Sequence, residues 1–266
     1  MEPSNPFGQS KFFTYFFKAL FLSWKIIVDF DIILVFSWNN MKMKMKTRLI
    51  IFDLDGTLLD TIDDLAAACN HALARCGCPA RERNEYFMLV GRGISNLFRG
   101  ALPDGQKTDE MVEKMRSHFL PYYNEHGADL TKPYEGIIPM LERLRDNGIA
   151  LAVASNKYQA GTEALINRFF GDFDFVRILG QREGMPIKPD PAIVHEAMEG
   201  VPGIELEEVI YCGDSDVDMM TGANAGVRTI GVRWGFRTEE ELSRLNPWLL
   251  VGNPDEIAEA AIHGIK

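Results

Sequence analysis

A chain of 266 residues with 46% apolar and 25% charged side chains can bury a large core, with room for one large domain or for a core carrying an insert. Its formal charge of −10 excludes the basic footprint of a nucleic-acid binder, so a phosphate-bearing ligand must be met by local positive charge. Four cysteines, Cys69, Cys76, Cys78 and Cys212, make neither a disulfide framework nor a complete zinc site, and read as free thiols in a reducing, cytoplasmic setting.

Residues 12–38 are far more apolar and aromatic than the rest. Lys18, Lys25, Asp29 and Asp31 interrupt the run, and a central Asp alone costs about 2.5–3.5 kcal/mol on insertion scales. No uninterrupted stretch reaches the roughly 18 residues of a spanning helix, and no small-residue cleavage site marks a signal peptide. A membrane is therefore not expected as a partner. The change of composition at Met41-Lys42-Met43-Lys44-Met45 predicts that translation begins at one of these methionines, residues 1–40 being an apolar extension upstream of a wrongly assigned start.

From Thr47 onward, short apolar runs alternate with helical patterns, as in a parallel α/β sheet. Predicted strands are Arg48–Phe52, Ile149–Ala154, Phe173–Ile178, Val209–Cys212 and Thr229–Val232; their continuous apolar character suits strands buried on both faces. Predicted helices are Ile137–Asn147, Ala160–Phe169, Ala192–Met198 and Val217–Ala225. The segment between the first strand and the helix at Ile137 has helical patterns of its own, at Ile62–Arg75, Ser95–Arg99 and Glu110–Asn124. It reads as an inserted helical cap, residues 61–132, on a core of residues 41–60 and 133–266.

In a parallel sheet every strand-to-helix loop opens at one edge, and four clusters fall there. Asp53 and Asp55, at i and i+2 beyond a buried strand, can share a site with Gly56 allowing the turn; they can equally be turn formers. Ser155 and Asn156 can donate to a phosphoryl oxygen or simply cap a helix. Lys188, ahead of Pro189, is a point charge suited to phosphate, or a surface lysine. Asp214, Asp216 and Asp218 repel one another unless a cation sits among them, and oxygen ligands of this kind suit Mg²⁺; an anionic turn without metal is the other reading.

In this order on successive strand ends, the clusters resemble the haloacid dehalogenase superfamily of phosphohydrolases over residues 47–255. The stretches DLDGTLLDTIDDLAAACNHAL, VGRGISNLF and KPDP…GDSDVDMMTGANAG are similar to those of phosphoglycolate phosphatases within it. The resemblance implies a Rossmann-like core, Asp53 as nucleophile through an aspartyl-phosphate, and Asp55 as acid and then base. It also implies Mg²⁺ held by Asp53, the backbone carbonyl of Asp55 and Asp214. Ser155 and Lys188 hold the phosphoryl oxygens, Asn156 is an accessory donor, and Asp218 orients Lys188 or a water. In the cap, Arg92 of Gly91-Arg92-Gly93, with Asn96 and Arg99 nearby, suits a substrate carboxylate. The expected partner is a small phosphate ester, and the chain is compatible with a monomer or a homodimer. A β-phosphoglucomutase-like phosphotransferase or a broad-specificity sugar-phosphate or nucleotide phosphatase would keep the four clusters. A dehalogenase has no alkoxide for Asp55 to protonate, and a catalytically idle binding module leaves Asp53 without a use.

Overall fold

The computed structural model describes residues 46–264; the expectations for residues 1–40 and for a start at Met41, Met43 or Met45 lie outside them. The strands are β1 (Leu49–Phe52), β2 (Leu59–Asp60), β3 (Lys132–Pro133), β4 (Ala150–Tyr158), β5 (Phe175–Gln181), β6 (Val209–Gly213), β7 (Arg228–Val232) and β8 (Leu249–Val251). Six of them form a parallel sheet in the order β5-β4-β1-β6-β7-β8. The fold is α/β, a Rossmann-like parallel sheet carrying an inserted helical cap.

The central strand explains the two-sided core. Leu-Ile-Ile-Phe is fully buried, and side chains of a strand alternate between faces. Ile50 and Phe52 join Leu141, Leu144 and Ile257 of the helices Ile137–Asp146 and Pro254–His263 on one face. Leu49 and Ile51 join Val194 and Ala225 of the helices Ala192–Met198 and Asp216–Ala225 on the other. At about 1.5–3 kcal/mol for each fully buried large aliphatic side chain, these contacts fix the register of β1 and hence the position of Asp53 just beyond it.

Several elements depart from the sequence reading, among them β5, which runs Phe175–Gln181 rather than Phe173–Ile178. β4 continues through Ser155, Asn156 and Lys157 to Tyr158, its pairing with β5 slipping register between Ala154 and Tyr158. β8 and the helix Pro254–His263 extend the sheet beyond the predicted strands. A three-residue edge strand carries too little periodicity to be seen in sequence.

The antiparallel pair β2–β3 sets Leu59 opposite Pro133 and Asp60 opposite Lys132. Between these two strands run the helices Ile62–Arg75, Tyr86–Leu89, Ile94–Ala101 and Asp109–His126. They bury a core of their own, including Leu73, Phe98, Met115 and Phe119, to which the sheet side adds Phe236. Buried Asp64 accepts the backbone N–H groups of Leu130 (3.0 Å) and Thr131 (2.8 Å), which ties the first cap helix to the returning chain. Thr108 caps the long helix by accepting from Met111 N–H, 3.2 Å, the role a hydroxyl plays for orphan donors. Among the described residues no helix is long and apolar enough to cross a membrane.

Candidate active site

Because Phe52 pairs with Val153 on one side and with Cys212 on the other, the residues just beyond these three emerge together. Asp53, Ser155 and Asp214 therefore meet at one edge, all of them buried. Lys188 reaches the same place from the chain beyond β5. One carboxylate oxygen each of Asp53, Asp214 and Asp218 lie within 4.8 Å of one another.

The lysine among them is fully committed. Lys188 Nζ donates to Ala154 O (3.1 Å), Tyr211 Oη (3.0 Å) and Asp218 Oδ1 (2.8 Å), which uses its three protons. It lies 3.0 Å from Asp53 Oδ1, yet that oxygen is buried with no hydrogen-bond partner among the described residues. Burial works against the lysine's charge, but Asp218 and Asp53 outweigh it and hold Lys188 well above its ordinary range. Asp218 is equally occupied: Oδ1 accepts from Lys188 and Tyr211, and Oδ2 from the Ser215 hydroxyl (2.5 Å) and N–H (3.1 Å). It holds Lys188 in place.

Burial pushes the Asp53 carboxyl up to about 6; Lys188 opposes the shift, while Asp218 and Asp55 add to it. Asp214 is raised well above the carboxylate range by burial and by the charges of Asp218 and Asp53. Its oxygens accept from Thr57 Oγ1 (3.2 Å) and Phe236 N–H (2.7 Å). Two glycines make room for it. A Cβ on Gly56, whose φ is +86°, would lie 2.3 Å from Asp214 Oδ2, and one on Gly235 would lie 2.2 Å from Asp214 Cβ.

Asp55 points elsewhere than the three-carboxylate group. Both its oxygens accept from Lys157 Nζ, at 3.0 and 3.1 Å, and Lys157 stands 4.6 Å from the centre of the Tyr123 ring. Lys157 reaches this place because β4 continues past Ala154 to Tyr158, an extension that no local sequence pattern marks. A cleft between sheet edge and cap is lined by Asp53, Asp55, Ser155 and Lys157 from below and by Val90, Gly93, Leu97 and Tyr123 from above.

Asn156 does not offer its amide to that cleft. Its Nδ2 donates to Gly91 O (2.9 Å) and Lys188 O (3.2 Å), and its Oδ1 accepts Lys188 N–H (2.9 Å). The expected accessory donor is thus spent on two backbone segments, one in the cap. Arg92, expected to face a ligand carboxylate, is ion-paired with Asp216 and its side chain is 51% exposed. Asn96 donates to Arg92 O and Arg99 pairs with Asp109, both within the cap. Arg237, which the sequence did not single out, is buried and donates to Phe87 O and, at 3.2 Å, to Val90 O.

Comparison with known proteins gives the family. The profile of haloacid dehalogenase-like hydrolases matches residues 50–232. A phosphoglycolate phosphatase of Mesorhizobium japonicum is 30% identical over 82% of this chain and 98% of its own length. One from Aquifex aeolicus is 34% identical over 71% of this chain and 86% of its own. The crystal structure of a predicted phosphoglycolate phosphatase from Haemophilus somnus superposes with a TM-score of 0.73 at 27% identity, covering 81% of this chain and 98% of that one. The chain belongs to the haloacid dehalogenase-like hydrolases. Within that superfamily it is a phosphatase, phosphoglycolate phosphatase-like in sequence and in fold.

Proposed function

We propose that the chain hydrolyses a small phosphomonoester, 2-phosphoglycolate foremost, by way of a phosphoryl group carried on Asp53, with Mg²⁺ as cofactor. The observation that carries this reading is the Asp53 oxygen buried without a hydrogen-bond partner among the described residues, 3.0 Å from a lysine whose protons are all directed elsewhere. A buried carboxylate oxygen held by an ion pair alone keeps acceptor capacity that a ligand can complete. The names of the relatives support the substrate.

The donor set fits Mg²⁺: hard carboxylate oxygens on Asp53 and Asp214, both pushed toward protonation in the absence of a cation, as expected of a site built around positive charge. Asp53, Asp214 and the backbone carbonyl of Asp55 would hold it, and when bound it neutralises charge on the phosphoryl oxygens that would otherwise repel Asp53. Asp218 is assigned to the Lys188 network instead, since Lys188 and Ser215 hold its two oxygens.

Asp53 attacks phosphorus, the bond from phosphorus to the ester oxygen breaks, and Asp55 gives its proton to the departing alkoxide. Water then attacks phosphorus of the aspartyl-phosphate, returns a proton to Asp55, frees Asp53 and releases inorganic phosphate. Splitting the reaction in this way suits an ester whose uncatalysed hydrolysis demands up to ~10²¹-fold acceleration. Ser155 would donate to a phosphoryl oxygen, and the Lys188 charge, 3.0 Å from Asp53 Oδ1, offsets charge as it spreads over the others. Residues 61–132 act as a cap that shields the site from water. The cavity beneath it is about 50 Å³; one water needs about 10–15 Å³ on this scale, so a compact ester is favoured over a nucleotide.

The test is phosphate release from 2-phosphoglycolate, sugar phosphates, nucleoside monophosphates and pyrophosphate, with Mg²⁺ and with chelator. Preference for 2-phosphoglycolate that chelator abolishes supports the reading. Turnover that requires a sugar bisphosphate would make the protein a phosphotransferase, and silence across the panel from folded protein would contradict it.

A further inference from the structure

The cleft contains a cation and a hydroxyl that the hydrolysis just described does not use. Lys157 is buried, its side chain 4% exposed, and two of its three protons go to Asp55 at 3.0 and 3.1 Å. The third is directed toward the Tyr123 hydroxyl, at the wall of the cleft that both residues line. Across from it, Tyr123 of the cap lines the same cleft; its ring stands 4.6 Å from the ammonium. Tyr123 is 3% exposed, and its own hydroxyl proton has no acceptor among the described residues. A buried phenol O–H normally finds an acceptor, so a hydroxyl proton without one, beside a buried ammonium, marks a place for an acceptor supplied by a ligand.

The position of that place defines the ligand. The phosphoryl group belongs between Asp53, Ser155 and Lys188, and Asp55 reaches the ester oxygen on its cap side. Lys157, within hydrogen-bond distance of Asp55, therefore lies one or two carbons beyond that oxygen. Arg92, the residue the sequence offered for an anion, is half-exposed and paired with Asp216, while its neighbours Gly91 and Gly93 line the cleft. We infer that Lys157 and Tyr123 form the subsite for a second anionic group of the substrate, a carboxylate close to the ester oxygen, and so set specificity for phosphate esters of small 2-hydroxy acids. This rests on the phosphatase reading above and adds the residues that read the leaving group. Recognition here is by a buried ammonium and a phenol, and a site built to hydrogen-bond a substrate group discriminates strongly against analogues without it, because its own polar groups are left unpaired.

The experiment compares kcat/KM for 2-phosphoglycolate with that for ethyl phosphate, of similar size but without the carboxylate, in wild type, Lys157→Met and Tyr123→Phe. The wild type is expected to favour 2-phosphoglycolate by on the order of 100-fold or more, as loss of a charged, buried hydrogen bond implies. Lys157→Met should bring that ratio to near unity, and Tyr123→Phe should lower it by about tenfold. Tyr123→Phe keeps the ring and removes a hydroxyl whose proton has no acceptor among the described residues, so it is expected to fold with little change in Tm and keeps the test valid even if Lys157→Met, which strips Asp55 of its partner, does not fold. A third arm uses wild type alone: the carboxamide of 2-phosphoglycolate, isosteric and uncharged, should be hydrolysed as poorly as ethyl phosphate. Equal losses on both esters in the variants, or wild-type turnover of the carboxamide equal to that of the acid, would overturn the subsite while leaving the phosphatase standing. Absence of wild-type hydrolysis of every ester would overturn the phosphatase reading and the subsite with it.

Discussion

Lys188 Nζ lies 2.8 Å from Asp218 Oδ1 and 3.0 Å from Asp53 Oδ1, so a carboxylate from the helix Asp216–Ala225 fixes the charge that faces the candidate nucleophile. Tyr211 joins the same oxygen of Asp218 at 3.2 Å. Lys188 thereby arrives with its orientation decided before any ligand binds, the kind of preorganisation that electrostatic catalysis needs. Removing one partner of a buried pair leaves the other uncompensated, which costs about 3–5 kcal/mol. Asp218→Ala is therefore expected to lower the urea midpoint by a corresponding amount and to reduce kcat far more than KM. An unchanged midpoint would mean that the pair does not hold Lys188.

Asp53 also sets a pH dependence. Its carboxyl is raised from 3.8 to about 6 in the folded protein, so between these values the folded state binds more protons than the unfolded one. Stability of the metal-free protein then increases as pH falls from about 6 toward about 4, and is lost as pH rises through 6, by about 3 kcal/mol at 1.36 kcal/mol per unit. Burial raises Asp214 in the same direction. A cation that binds the charged carboxylates relieves this cost, so Mg²⁺ is expected to raise Tm substantially at pH 7.5 and little at pH 5. A Mg²⁺ shift equal at both values would show that these carboxylates do not hold the ion.

Gly235 gives a test of the Asp214 position. An added methyl would sit 2.2 Å from Asp214 Cβ and 2.5 Å from both Asp214 Oδ2 and Gly56 O, so the carboxylate or the turn must move. Gly235→Ala is expected to raise the Mg²⁺ concentration for half-maximal activity at least about tenfold, since misplacement of a group by about 1 Å can cost 10²-fold. Unaltered Mg²⁺ dependence would remove Asp214 from the ligand set.

Arg237 and Asn156 hold the cap segment 87–93 to the sheet through its carbonyls, Phe87 and Val90 for the arginine and Gly91 for the amide. Arg237→Met deletes two of these contacts and is expected to speed hydrogen exchange in residues 87–93, leaving exchange in β1 and β6 unchanged, because local opening follows local contacts. KM should rise with it. Unchanged exchange in 87–93 would mean that packing of Phe236 in the cap core suffices to dock the segment.

How much of this was legible in the sequence depends on the range of the interaction. β1, followed at once by Asp53, could be read because a run of four buried apolar residues and the turn after it are local. The helices Ile62–Arg75 and Ala192–Met198 fall where their periodicity put them. Lys157 was passed over because its partner Asp55 is 102 positions away, and Arg237 because Val90 is 147 positions away; no local pattern encodes either meeting. Arg92 and Asn156 show the converse. Their residue types suit an anion, but Asp216, Gly91 and Lys188 claim them first, and competition of that sort is settled only by tertiary packing.

The measurement that tests the central claim most directly is acid-quench labelling with 2-phosphoglycolate carrying radioactive phosphate, on wild type and Asp53→Asn at Mg²⁺ saturation. The account predicts transient, hydroxylamine-sensitive label on the wild-type protein, approaching one phosphoryl group per chain, and none on Asp53→Asn. Turnover by wild type with no protein-bound label, or label of the same chemistry on Asp53→Asn, would contradict it.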